Sequence, residues 1–103
     1  RIKELIIKGG ENISPREIDD VLYQHPDILE AAAFGDDCTH YGETVKAGVV
    51  LKNKDSVSEK DLIEHCSKIL GKFKSPDNIY FFDELPKGSS GKIQRLKIKD
   101  QIK

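Results

Sequence analysis

The sequence has 103 residues, of which 34% are charged and 37% are hydrophobic, the composition of one small soluble domain with a modest core. It contains no apolar run long enough to cross a bilayer and no signal-peptide pattern, and its two cysteines and three histidines are too scattered for a metal site. These features predict a cytoplasmic domain with reduced thiols, no transmembrane segment and no bound metal.

The first part of the chain predicts a hairpin followed by a helix. In residues 4–13 an apolar stretch leads into a Gly-Gly pair, the pattern of a strand that reaches a tight turn and returns. Ser14 is then a predicted N-cap, with Pro15 at the first helical position and Glu17 placed to complete a capping box. We expect this helix to end near Pro26.

The central part predicts two strands and a second helix. Ala31–Phe34 is a short apolar strand, residues 36–43 form a polar loop, and Val45–Leu51 alternates as a strand does when at least one face is buried. A second helix begins at Ser58, with Asp61 three residues on, and ends at Gly71. Its predicted buried stripe consists of Leu62, Ile63, Cys66, Ile69 and Leu70. On this pattern Cys66 belongs to the core and not to a reactive site.

A third strand is predicted at Ile79–Phe82, and a terminal helix from about Gln94. The order of elements predicts an α+β domain, with a small three-stranded sheet flanked by helices and a separate N-terminal two-stranded hairpin.

Charge is distributed unevenly along the chain. The net charge is −1, but from Pro86 onward there are six basic residues and one acid, so this end carries about +5. Such an end favours an anionic partner, either a phosphate-bearing small molecule or nucleic acid. A solvated face of a terminal helix explains the charge equally well.

The segment "LPKGSSGKIQR", residues 85–95, permits more than one interpretation. A P-loop would need glycine where Pro86 stands and Ser or Thr where Ile93 stands, so that interpretation fails. A flexible structural loop with a solvated lysine remains open. So does a mobile loop that carries Lys92 into the active site of another domain, where its charge stabilises a developing anion.

Two motifs give the chain a family resemblance. Residues 1–18, "RIKELIIKGGENISPREI", resemble the hinge and first loop of the C-terminal domain of adenylate-forming enzymes. Residues 86–95, "PKGSSGKIQR", resemble the terminal motif of the same superfamily, with YGE, KFKSP and ELP in the expected order between them. That superfamily comprises acyl-CoA synthetases, adenylation domains of peptide synthetases and firefly-type luciferases, and the resemblance covers the whole chain.

The resemblance implies a ligase reaction in two halves. In such enzymes a large N-terminal domain binds Mg-bound ATP and a carboxylic acid, which react to an acyl-adenylate and pyrophosphate. The small domain then rotates, and the thiol of CoA attacks the adenylate to give a thioester and AMP. The chain starts at Arg1 without Met, so we expect it to be a piece of such an enzyme and to be inactive alone.

The resemblance also implies roles for individual residues. Lys92 matches the lysine that bridges the carboxylate and the nucleotide during adenylation. Lys3 matches the hinge residue, and Arg1 matches an arginine that contacts the nucleotide. Gly10 and Tyr41 match positions that line the pantetheine tunnel.

Phe73 and Lys74 lie where some CoA ligases contact the CoA nucleotide. Ser75 and Asp77 depart from relatives that carry basic residues there, and Tyr41 stands where many members have Trp. Gly10 would also serve any hairpin turn, and Phe73 could be a core residue.

Alternatives to a CoA ligase remain at this stage. An adenylation domain that loads a carrier protein is the nearest one, although such domains more often carry an acidic residue at the position of Gln94. A small nucleic-acid-binding module is the distant one. None of the seven aromatic residues lies among the terminal lysines, which argues against base stacking there. The acid substrate is not encoded in this chain, since the pocket that selects it would lie in the large domain.

Overall fold

The computed structural model describes residues 5–38, 42–53 and 56–102, which form five strands and three helices. The strands are β1 (Ile6–Lys8), β2 (Glu11–Ile13), β3 (Ile28–Cys38), β4 (Gly42–Leu51) and β5 (Asn78–Phe81), and the helices are α1 (Pro15–Tyr23), α2 (Glu59–Leu70) and α3 (Arg95–Gln101). None of the helices in these ranges combines the length and the apolar character that a bilayer crossing requires.

All five strands belong to one sheet, in which β4 is the central element. β3 pairs with β4 in antiparallel fashion along its length, and β5 pairs with the opposite edge of β4 in parallel fashion. β1 joins that same edge where Lys8 lies opposite Gly42, and β2 is its antiparallel partner. The predicted α+β class is confirmed. The hairpin, however, extends the sheet instead of standing apart from it, so one five-stranded sheet replaces the predicted three strands plus hairpin.

The predicted polar loop at residues 36–43 is wrong at both ends. β3 continues to Cys38, and β4 already starts at Gly42. The buried carboxylate of Asp36 accepts a hydrogen bond from Lys46 Nζ at 2.8 Å, and Lys99 Nζ lies 3.9 Å from its other oxygen. Because these cations compensate its charge, a residue with low strand propensity is accommodated in the strand.

The sheet carries a core on each face. One face packs against α1 and α2 through Ala31, Ala33, Val45, Ala47, Val49, Ile18, Leu22, Leu62 and Cys66, among others. The other face packs against α3 and the segment before it through Ala32, Phe34, Val50, Leu85 and Ile98. The alternation along β3 and β4 places successive side chains on opposite faces, and both faces are covered.

The helix boundaries follow the predicted signals only in part. Pro15 opens α1 as predicted, but the Ser14 side chain makes no capping hydrogen bond, and Glu17 instead pairs with Lys74 at 3.4 Å. Ser58 and Asp61 do form a reciprocal capping box at the start of α2. The prediction that Ile69 belongs to the buried stripe of α2 is wrong, because half of its surface is exposed.

Cys66 is a core residue, as predicted. Its side chain is fully buried, and burial raises the pKa of the thiol to about 11. The thiol therefore stays protonated near neutral pH, the state in which cysteine is a poor nucleophile.

Gly48 is required by the close approach of α3 to the sheet. A Cβ at this position in β4 would lie 3.0 Å from Ile98 Cγ2 and 3.0 Å from a ring carbon of Phe82. We expect Gly48→Ala to destabilise the chain by about 1–3 kcal/mol through overpacking, measured by urea unfolding. Gly35→Ala is the matched control on β3, because the added methyl would meet only the carboxylate end of the Glu43 side chain, which accepts a hydrogen bond from Ile7 N, and no packed core atom. Equal losses in the two variants would show that steric conflict at Gly48 is not the cause.

Candidate functional site

The loop that carries Lys92 is a closed turn. Lys87 and Ile93 form an isolated antiparallel bridge, and Lys92 O accepts a hydrogen bond from Gly88 N at 2.9 Å. Gly91, which has a positive φ of 84°, donates to Gly88 O at 2.9 Å, a backbone shape that favours glycine. The composition predicts a flexible segment, but the described structure folds it back on itself. The Lys92 side chain projects from this turn and is exposed.

Two ion pairs fasten the turn to the rest of the domain. Lys87 Nζ lies 2.6 Å from a carboxylate oxygen of Glu30 at the start of β3. Arg95, three residues after Lys92, pairs with Asp19 of α1 through Nη2 and Oδ2 at 2.7 Å. The turn is therefore tied to both β3 and α1.

Both members of the Asp19–Arg95 pair also form hydrogen bonds with the backbone of β3. Asp19 Oδ1 accepts a hydrogen bond from Ala33 N at 2.7 Å, and Arg95 Nη1 donates to Ala33 O at 2.9 Å. A little farther along the same edge, Ala31 N donates to the Tyr23 hydroxyl at 3.1 Å. Burial raises the pKa of Asp19, while its hydrogen bond and charge interaction with Arg95 act in the opposite direction.

A cleft of about 400 Å³ opens between the turn and the first helix. Lys92, Lys87, Arg16, Arg95 and Tyr23 are among its lining residues. Two carboxylates also line the cleft, where Glu30 pairs with Lys87 and Asp19 pairs with Arg95. The balance of four cations and two acids is still positive and suits an anion, and the exposed Lys92 can reach from the cleft toward a molecule held by another domain.

A second group of predicted residues lies around the hairpin. Gly9 and Gly10 form its turn with positive φ values of 58° and 84°, and a Cβ on Gly10 would meet no atom within 4 Å. The turn at Gly10 is thus open on its outer side. A backbone without a side chain can be approached closely there by a ligand.

Phe73 and Lys74 lie next to the hairpin. Lys8, although only 4% exposed, places Nζ 2.8 Å from Phe73 O and 4.6 Å from the centre of the Phe73 ring, a cation–π contact. Phe73 itself is 39% exposed, so it is not a plain core residue, and one side of it is available to a ligand. The structure therefore brings Gly10, Phe73 and Lys74 to the same end of the domain.

The two departures from the basic pattern have structural roles here. Ser75 is buried, and its hydroxyl donates to Ile63 O at 3.2 Å. Asp77 accepts a short hydrogen bond from the Thr44 hydroxyl. Ser75 thus ties the segment after α2 back to that helix, and Asp77 ties it to β4 of the sheet.

The two groups lie at opposite ends of the β3–β4 pair. The Lys92 turn is fixed near Glu30, at the start of β3, whereas the hairpin joins the sheet at Gly42, opposite Cys38 at the end of β3. An extended strand rises by about 3.3 Å per residue, so Glu30 and Cys38 are roughly 26 Å apart. One reacting centre cannot lie beside both groups at once.

Three predicted site residues, Arg1, Lys3 and Tyr41, lie outside the described residues. The sequence reasoning also missed two residues that matter here. Asp19 lies beside the apolar stripe of α1, where an acid is usually exposed, and its burial depends on Arg95, far away in sequence. Lys8 is the last residue of a three-residue strand, and no local sequence pattern indicates its contact with Phe73.

Comparison with known proteins gives consistent matches. A sequence model of the AMP-binding enzyme C-terminal domain matches residues 17–92, a range that ends at Lys92. The sulfoacetate–CoA ligase of Cupriavidus necator is 51% identical over 98 residues, which is 95% of this chain and 19% of that protein. The oxalate–CoA ligase of Saccharomyces cerevisiae is 48% identical over 95 residues, which is 92% of this chain and 18% of that protein.

Solved structures share the fold. The o-succinylbenzoate CoA synthetase of Bacillus subtilis, in complex with its acyl-adenylate intermediate OSB-AMP, superposes with a TM-score of 0.90 at 38% sequence identity. The match covers 97% of this chain and 20% of that one. The chain thus spans about a fifth of the length of the relatives it matches.

Proposed function

Because the chain belongs to the AMP-binding enzyme C-terminal domain family, we propose that it is the mobile C-terminal domain of an ATP-dependent, AMP-forming carboxylate–CoA ligase. The CoA ligases that it resembles are far longer, since the chain spans 18% or 19% of them. The remainder of the enzyme would be a large N-terminal domain that binds Mg-bound ATP and the acid. That domain is the main partner of this chain, and the isolated chain is inactive.

In the first half-reaction, a carboxylate oxygen of the acid attacks the α-phosphorus of ATP. The bond to the β-phosphate oxygen breaks, and pyrophosphate leaves with the bonding electrons. The Lys92 ammonium, presented by its exposed turn, lies between the carboxylate and the nucleotide, where it orients them and offsets the negative charge. Arg1 contacts the nucleotide from the hinge side.

In the second half-reaction the domain rotates about Lys3 and presents its hairpin end to the large domain. The thiol sulfur of CoA attacks the acyl carbon of the adenylate, the thiol proton is lost, and AMP leaves. Gly10 and Tyr41 line the pantetheine tunnel in this orientation. Close backbone approach at Gly10 is compatible with a narrow tunnel.

Phe73 and Lys74 are suited to the nucleotide part of CoA. An exposed aromatic face can stack on adenine, and a lysine can pair with a phosphate as a compact charge. Lys74 already pairs with Glu17 at 3.4 Å, but that pair is partly exposed and weak, so a phosphate can compete for the lysine.

The observation that carries this proposal is the separation of the two groups. Lys92 and Gly10 lie on turns at opposite ends of the β3–β4 pair, next to Glu30 and Cys38, which are roughly 26 Å apart along the strand. A single domain orientation cannot place both turns at one reacting carboxylate, whereas a rotation between half-reactions can.

The test uses the full-length protein that contains this chain. We expect acid-dependent exchange of pyrophosphate into ATP, and CoA-dependent release of AMP with formation of a thioester. The chain expressed alone should support neither reaction. Adenylate formation with transfer to a carrier protein but not to CoA would favour the carrier-loading alternative, and the absence of acid-dependent exchange with any carboxylic acid tried would contradict the proposal.

A further inference from the structure

The turn that carries Lys92 is held in place by residues that lie on other elements. Between Lys92 and Arg95 there are only three peptide steps, which span at most about 11 Å when fully extended. Within them, Gln94 N donates to Pro86 O at 2.9 Å, and Lys92 O accepts from Gly88 N at 2.9 Å. The position of the Lys92 backbone is therefore tied to the position of Arg95.

Arg95 is itself fixed by two partners on different elements. Its Nη2 meets Asp19 Oδ2 of α1 at 2.7 Å, and its Nη1 donates to Ala33 O of β3 at 2.9 Å. Asp19 completes the ring by accepting from Ala33 N at 2.7 Å. The planar fork of an arginine can make both contacts at fixed angles, which a lysine cannot.

The other contacts described for α3 lie farther along the helix. The helix has seven residues, its N-cap Gln94 makes no side-chain capping bond, and Leu96 is largely exposed. Ile98 packs into the core one turn later, and Lys99 lies 3.9 Å from Asp36. These contacts fix the body of α3. At its first residue, Arg95, the helix is anchored by the polar ring that Arg95, Asp19 and the Ala33 backbone form.

From this geometry we infer that Asp19, acting through Arg95, is a positioning residue for Lys92 in adenylate formation. The inference rests on the proposed function. Asp19 does not touch the reacting groups. It holds the guanidinium that fixes the base of the turn, and a charge that must lie between two anions loses much of its effect when it is displaced by about 1 Å.

The experiment uses the full-length ligase and measures the two half-reactions separately. Asp19→Asn keeps the shape of the side chain but removes its charge, and Arg95→Lys keeps the charge but removes the fork. We expect each variant to slow adenylate formation about 10- to 100-fold. Thioester formation from a supplied acyl-adenylate should stay within about threefold of wild type, because Lys92 is not used in that step.

Two comparisons separate positioning from general damage to the fold. Lys99→Gln removes another ion pair between α3 and β3, and should change adenylate formation by less than about twofold. In a Lys92→Ala background, Asp19→Asn should cause no further loss, since both changes act through the same lysine. If Asp19→Asn fails to fold, Arg95→Lys provides the same two readouts.

Three results would overturn the inference while leaving the proposed function standing. These are full adenylation activity in both variants, equal loss of both half-reactions, or an undiminished effect of Asp19→Asn when Lys92 is already Ala. By contrast, full adenylation activity in Lys92→Ala itself would overturn the proposed function.

Discussion

Replacing Lys92 by alanine in the full-length ligase should lower the rate of adenylate formation by roughly 100- to 1,000-fold. The physical reason is the loss of a preorganised positive charge where a carboxylate and a phosphate, both anionic, must approach each other. Acid-dependent pyrophosphate exchange measures this step. Because the side chain is exposed and projects from a turn closed by backbone hydrogen bonds, stability should change by less than about 0.5 kcal/mol.

The same variant should largely retain thioester formation from a supplied acyl-adenylate, since in the proposed rotation the Lys92 turn leaves the reacting centre before that step. Lys97→Ala is the matched control, because Lys97 is an exposed lysine of the same basic segment. It should leave both half-reactions within about twofold of wild type. Equal loss of both half-reactions in Lys92→Ala would contradict a rotation between the steps.

Placing a phenylalanine at Gly10 should have the opposite effect. Adenylate formation should persist, while thioester formation should fall by about 100-fold or more, because the ring would fill the proposed pantetheine tunnel. A Cβ at Gly10 meets no atom of this domain within 4 Å, so the bulk of the ring would project outward. CoA-dependent release of AMP from the pre-formed adenylate measures the loss.

Gly10→Ala provides the matched control for backbone strain. Gly10 has a positive φ of 84°, so alanine and phenylalanine both carry a strain of about 1–2 kcal/mol, but alanine adds little volume. Thioester formation in Gly10→Ala should therefore stay within a few-fold of wild type. If CoA transfer survived in Gly10→Phe, or if both variants lost it equally, the assignment of Gly10 to the tunnel would be wrong.

Local signals predicted the elements that depend on neighbouring residues. Pro15 at the start of α1, the Ser58–Asp61 capping box, and the alternation along β4 all rest on interactions within a few positions, and the structure confirms each of them. The family motifs added the candidate site residues, which no local pattern distinguishes from an ordinary Gly-Ser loop or a hairpin turn.

Contacts distant in sequence account for what could not be predicted. Glu17 does not form the predicted capping box, because it pairs with Lys74, which lies beside it in the fold. Asp36 is accommodated in a strand because the cations of Lys46 and Lys99 lie near its carboxylate. The attachment of the Lys92 turn to the domain likewise depends on Glu30 and Asp19, which lie on other elements and pair with Lys87 and Arg95. Such pairs exist only once the sheet and helices have assembled.

The hydrogen bonds along the outer side of β3 have a consequence for the behaviour of the domain in solution. β3 is the last strand of the sheet on its side, and such a strand normally leaves backbone groups open to pairing with another molecule. Here Ala31 N donates a hydrogen bond to the Tyr23 hydroxyl, and Ala33 N donates one to Asp19. Ala33 O accepts a hydrogen bond from Arg95. Asp19 and Arg95, which fix the turn, therefore also block strand addition at this edge together with Tyr23, and this protects the domain against edge-to-edge aggregation.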